Sequence, residues 1–191
     1  MAFSCKRVIF VKNFIMEKVN IITMGCSKNL VDSEQLAAQL EANGYEVELD
    51  SEDFVADIVI VNTCGFINDA KEESIGIITE LIEQKAQNKV KKLVVCGCLS
   101  ARYYDELKQE LPEVDLLCGN YNLDELLGFF GKTKVEEERF SRLQNADAKY
   151  AYLKIAEGCV RNCAFCAIPL FKGKYVSRPM DDIVAETGHL V

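Results

Sequence analysis

The 191-residue chain has no long apolar run, a single histidine, and no internal repeat or low-complexity tract. A membrane-spanning helix needs about 18 or more uninterrupted apolar residues, and no segment approaches that. The first fifteen residues, MAFSCKRVIFVKNFI, interrupt their apolar stretch with charge and lead to no small-residue cleavage site, which argues against a secretory signal. We read 1–15 as an extension ahead of Met16, where the strand-like MEKVNIITMG begins. A basic excess is also lacking. The net charge of −8 argues against nucleic-acid binding by the whole surface. Without an export signal the expected compartment is the cytoplasm, where thiols stay reduced. The nine cysteines are then buried small hydrophobes, metal ligands or catalysts rather than disulfides.

What is present is an alternation of two periods. Residues 19–25 (VNIITMG) read as a short buried strand. Residues 29–43 carry Leu30, Leu36, Ala37 and Leu40 on one helical face, with Gly44 as the stop. Residues 45–49 alternate like an outer strand, and DIVIVN at 57–62 is a β-branched run of the kind buried on both faces. Helix over 69–87, strand over 92–96, helix over 100–110, strand over 114–118 and a short helix over 122–130 continue the series. The expected fold is a doubly wound, parallel α/β domain over 16–130. Residues 131–149 are charged and lack strong periodicity, and read as a linker. Residues 150–191 then start a second unit: a strand at 150–156, a cysteine loop, and a helix after Arg178-Pro179. One strand and one helix cannot bury a core, so this unit is expected to begin a larger β/α domain that the chain does not contain.

Within that second unit, EGCVRNCAFCAIP places Cys159, Cys163 and Cys166 in a C-x3-C-x2-C spacing. Zinc sites normally have four ligands, and the one histidine, His189, lies at the far end of a helix. Soft thiolates suit iron–sulfur clusters. Three of them on a 4Fe–4S cube leave one iron open to a small molecule. A second set lies in the first domain, where Cys26 follows strand one, Cys64 strand three and Cys98 strand four. Ligands of open parallel sheets bind at the carboxyl ends of strands, where helix N-termini also favour anions. Three thiols there predict a second cluster with an open iron. Cys98 is preferred to Cys96 because it lies beyond Gly97, in the strand-to-helix loop. Cys96 and Cys118 read as core, and Cys5 as incidental.

The segments MGCSKNLVDSE, NTCGFINDAKEESI, GCLSARY and AYLKIAEGCVRNCAFCAIP, with GKYVSRP, resemble the methylthiotransferases of the radical S-adenosylmethionine (SAM) superfamily. The resemblance runs from about residue 17 to the end. SKNLVDSE after the first cysteine and GFI after the second are similar to the bacterial branch that methylthiolates the β-carbon of an aspartate in a small-subunit ribosomal protein. The sister branch modifies isopentenyl-adenosine in tRNA and usually has glutamine and methionine after the first cysteine.

The resemblance implies two 4Fe–4S clusters, an auxiliary one on Cys26, Cys64 and Cys98 and a SAM-binding one on Cys159, Cys163 and Cys166. It implies that an electron, from a flavodoxin- or ferredoxin-type donor, cleaves SAM to a 5′-deoxyadenosyl radical that abstracts the target hydrogen. Sulfur at the auxiliary cluster's open iron is then transferred, and a second SAM supplies the methyl group. No membrane is implied, and any RNA contact would be indirect. The family continues into most of a partial β/α barrel and a small β-barrel, so the chain alone is expected to be inactive. A non-catalytic iron–sulfur module and a zinc-binding domain are the competing readings.

Other residues are open to two readings each. Ser27, Lys28 and Asn29 either cap the helix or tune a cluster through hydrogen bonds. Asp32 and Glu34 read as solvated-face charges, and Phe165 and Tyr152 as core in preference to packing on a cluster or on adenine. Lys172, Lys174 and Arg178 either attract substrate or form a solvated loop. They belong to a basic stretch in which Lys149, Lys154 and Arg161 also occur and Glu157 is the sole acid.

Overall fold

The computed structural model describes residues 16–51, 55–144 and 148–191. The extension expected at 1–15, with Cys5, lies outside the described residues. Five strands, β1 (Lys18–Thr23), β2 (Glu46–Leu49), β3 (Ala56–Thr63), β4 (Val90–Gly97) and β5 (Leu116–Leu117), form one sheet in the order β2-β1-β3-β4-β5. Every pairing is parallel. The connecting helices are α1 (Ser27–Ala42), α2 (Asn68–Ala86), the short pair α3 (Cys98–Arg102) and α4 (Tyr104–Glu110), and α5 (Leu123–Phe129). The doubly wound parallel domain expected from the alternating periods is the fold found. The expected helix over 100–110 is interrupted between Arg102 and Tyr104.

β3 explains why two layers of helix are needed. Ile58 and Ile60 point into a cluster with Ile21, Leu36 and Leu40, whereas Val59 and Val61 point to the other face, toward Ile78, Leu81 and Leu93. Each such side chain contributes about 1.5–3 kcal/mol on burial, and a strand apolar on both faces must be covered on both. Cys96 and Cys118 belong to the first cluster, both 0% exposed, as their reading as core required.

The chain turns to one side of β1 to make β2, then to the other to make β3, so the strand order reverses between β1 and β3. This switch point is where open α/β sheets bind ligands. Register brings the strand ends level there, with Thr23 beside Asn62 and Thr63 beside Gly97.

After α5 the chain returns across α1. A 3-10 turn at Glu136–Glu138 sits on Gln39, whose amide donates to the carbonyls of Val135 (3.0 Å) and Glu138 (2.9 Å) and accepts from the Val135 N–H (2.8 Å). The strand expected at 150–156 is not formed. Only its last residue joins a strand, β6 (Ala156–Glu157), paired antiparallel with β7 (Val176–Ser177). A strand requires a hydrogen-bonding neighbour, and the alternating YAYLKI finds no ladder; Tyr150 and Ile155 stay 70% and 57% exposed. Between β6 and β7 lies α6 (Ile168–Lys172), and α7 (Met180–Leu190) closes the chain with Pro179 as its N-cap. No helix among the described residues is long and apolar enough to cross a membrane.

Candidate metal centre

Cys26 is the N-cap of α1 and is exposed, Cys64 follows β3 and is half-buried, and Cys98 opens α3 and is 7% exposed. All three are free thiols. The backbone turns that carry them are tight. Gly25 has φ +102°, and a Cβ there would stand 2.7 Å from Cys64 Cβ and 3.0 Å from its sulfur. Gly97 has φ +103°, and a Cβ would meet Thr63 O at 2.5 Å. Only glycine enters these conformations without strain, and only glycine lets the strand ends approach so closely.

Asn29 lies beside Cys26 and Cys98 and is 1% exposed. Its amide nitrogen donates to Met24 O and Thr63 O, both at 2.9 Å, while its Oδ1 lies 4.0 Å from Cys26 Sγ and 3.9 Å from Cys98 Sγ. Its own carbonyl accepts from the Asn62 amide at 3.0 Å. The helix cap expected of Ser27 or Asn29 is not made; the α1 N-cap has no side-chain cap bond. Burial pushes the Cys98 thiol up to about 11, with Lys172 opposing and Cys26 and Cys64 adding to the rise. Burial also raises Cys96 well above its ordinary value, and Cys118 to about 12. Those two are thiols with no route to a ligand.

Among the described residues, no three His, Cys, Asp or Glu side chains are grouped to hold one metal ion. A single zinc needs every sulfur within about 2.3 Å of one point. A multi-iron cluster takes each thiolate on a separate iron, so its sulfurs stand farther apart. Three thiols without histidine or carboxylate are soft donors of the kind that iron–sulfur clusters take.

The second trio lies on the loop between β6 and α6. Cys163 is exposed and the other two are half-buried. The loop is folded on itself: Cys159 N–H donates to Gly173 O (3.1 Å), Cys166 N–H to Cys163 O (3.0 Å), and Arg161 N–H to Cys159 Sγ (3.4 Å). Phe165 and Tyr152, read as core, are 88% and 43% exposed and so lie outside it.

Charge fastens this loop to the first domain. Lys154 pairs with Asp32 on α1 and, at 3.2 Å, with Glu157. Lys28 donates to Ala156 O (3.2 Å) and faces Glu157 at 3.7 Å, and Lys172 faces it at 3.8 Å. Burial alone would raise the Glu157 carboxyl, but Lys172, Lys154 and Lys28 hold it below its usual range. α6 packs on α3. The second loop is thereby tied to the end of the sheet from which the first trio projects. A cleft of about 410 Å³, lined by Asp32, Tyr121, Lys154, Glu157, Lys172 and Arg178 among others, lies between the two units.

Asp32 and Glu34 are therefore not solvated-face charges; they are 1% and 7% exposed. Glu34 faces Arg142 at 3.4 Å, and Arg142 faces Glu186 of α7, also at 3.4 Å. Arg178 pairs with the same Glu186 and donates to Lys154 O at 2.8 Å. Neither Lys172 nor Arg178 belongs to a solvated loop, and only Lys174 of that group is exposed. Nothing in the sequence singled out Arg142, whose partners lie more than forty residues away on either side.

Residues 18–119 match the uncharacterized protein family UPF0004. The chain is also similar to proteins named ribosomal protein uS12 methylthiotransferase RimO. It is 53% identical to that of Phocaeicola vulgatus over 173 residues, covering 91% of this chain and 40% of the relative. It is 54% identical to that of Parabacteroides distasonis over 174 residues, with the same coverage, and 48% identical to that of Cytophaga hutchinsonii over 169 residues, covering 88% and 39%. The chain thus spans about two fifths of the length of these relatives.

Proposed function

The chain belongs to the uncharacterized protein family UPF0004, and from that premise we propose that it is the amino-terminal part of a radical SAM methylthiotransferase acting in the cytoplasm on an aspartate of a small-subunit ribosomal protein. The substrate assignment follows the names of its relatives and the SKNLVDSE and GFI segments, in preference to the tRNA alternative. Cys26, Cys64 and Cys98 hold an auxiliary 4Fe–4S cluster. Cys159, Cys163 and Cys166 hold the one to which SAM binds through its amino and carboxylate groups. When bound, these groups supply the chemistry the side chains cannot: electron delivery to SAM and a sulfur for transfer.

The protein's own part is placement. Gly25 and Gly97 let three strand ends meet, Asn29 fixes their spacing, and the Asp32–Lys154 and Glu157 pairs hold the second loop beside them. The observation that carries the reading is the convergence of Cys26 and Cys98 on one buried amide, with Cys64 against Gly25. A flavodoxin- or ferredoxin-type protein is the electron donor. Since this chain spans two fifths of its relatives, we expect it to bind clusters without completing the reaction.

The test is anaerobic reconstitution with iron and sulfide. Two cubanes require about eight irons with matching sulfide per chain, falling to about four when either trio is replaced by alanine. Zinc without sulfide would overturn the reading. With SAM and reductant, formation of 5′-deoxyadenosine by this chain alone would overturn the expected inactivity.

A further inference from the structure

We propose that the two cysteine trios are polarised in opposite senses, the Asn29 amide oxygen making a cluster on Cys26, Cys64 and Cys98 harder to reduce and the Arg161 N–H making one on Cys159, Cys163 and Cys166 easier to reduce. This rests on the cluster reading above and adds to it the path of the electron. The orientation of Asn29 has no alternative. Both N–H groups are taken by carbonyls, Met24 O and Thr63 O at 2.9 Å each. A flipped amide would set its oxygen against those two oxygens. Oδ1 must therefore face the sulfurs, 4.0 Å from Cys26 and 3.9 Å from Cys98. At 1% exposure no bulk water screens it.

A free thiol can offer Oδ1 a weak S–H contact, but a thiolate bound to iron has no proton to offer. Oδ1 then presents negative partial charge to negative sulfur, and each added electron strengthens the opposition. Hydrogen bonds and local charge at the sulfurs are the protein's means of setting a cluster's potential. At the second trio the polarity is reversed: Cys159 Sγ receives an N–H, that of Arg161, at 3.4 Å, which favours added negative charge. These contacts would make a cluster on the second trio the readier electron acceptor of the two.

The experiment uses the full chain with Cys159, Cys163 and Cys166 replaced by alanine, so that only the first trio takes up iron and sulfide, and reads the midpoint potential spectroelectrochemically. Asn29→Asp and Asn29→Ala both delete the donors to Met24 and Thr63, so a role in packing alone moves the midpoint the same way in both. Polarisation predicts opposite shifts, downward in Asn29→Asp and upward in Asn29→Ala. Unordered or unchanged midpoints would overturn the proposal. So would loss of the fold or of iron uptake in both variants, which makes Asn29 a residue of assembly only. A parent that takes up no iron and sulfide would instead bring down the cluster reading, and this proposal with it.

Discussion

Asp32 and Lys154 form an ion pair across the junction of the two units, with side-chain exposures of only 1% and 15%. Burial pushes the Asp32 carboxyl up while Lys154 opposes the rise. Removing one member of a buried pair leaves an uncompensated charge and costs about 3–5 kcal/mol. Lys154→Met should approach that loss in urea unfolding. Asp32→Asn should lose less, because Lys154 keeps Glu157 at 3.2 Å. The double variant should be more stable than the sum of the single losses, since it leaves neither charge alone.

Arg142 is the second fastening. Its side chain is 0% exposed and, among the described residues, it is the cation that faces both Glu34 and Glu186. Arg142→Met strands Glu34 and should destabilise by about 3–5 kcal/mol in the same measurement. Adding Glu34→Gln should restore part of the loss. An unchanged denaturation midpoint in Arg142→Met would refute the assignment.

Gly97→Ala combines a left-handed φ of +103° with a Cβ placed 2.5 Å from Thr63 O. Backbone strain of this kind costs about 1–3 kcal/mol, and the clash adds to it. The expected outcome is a lowered melting temperature together with reduced iron uptake at the first trio. Gly44, with φ +87° and open space around it, is the control: Gly44→Ala carries strain alone and should leave iron uptake intact.

Cys96→Ala and Cys118→Ala should leave the iron content unchanged, since both sulfurs lie in the core cluster. A modest loss of stability from the small cavity left behind is the only expected effect. A drop in iron equal to that of Cys98→Ala would make the choice of Cys98 wrong.

Asp57 sets part of the acid limit. An ion pair with Lys91 and the Lys18 N–H hold its carboxyl below the ordinary 3.8, burial opposing them. A depressed carboxylate contributes stability that is present above the unfolded value and lost as pH falls through the folded one. Asp57→Asn should therefore flatten the decline in urea midpoint below about pH 3.8 and leave its pH dependence above pH 6 unchanged.

The sequence by itself determined the parallel strands of the first domain, its covering helices and the cysteines at the strand ends. Those follow from short-range facts: a β-branched run such as DIVIVN, the spacing of Leu36 and Leu40, and a glycine beside each of Cys26, Cys64 and Cys98. It misread YAYLKI as a strand because alternation says nothing about whether a ladder partner exists. Only tertiary structure decided that Asp32 and Glu34 are buried, because the groups covering them, Lys154 and Arg142, arrive more than a hundred residues later. Only tertiary structure decided which end of the Asn29 amide meets the sulfurs, because the carbonyls of Met24, just past β1, and of Thr63, at the end of β3, claim its nitrogen. Periodicity records which face a residue takes on its own element; the identity of what packs against that face is settled by the rest of the chain.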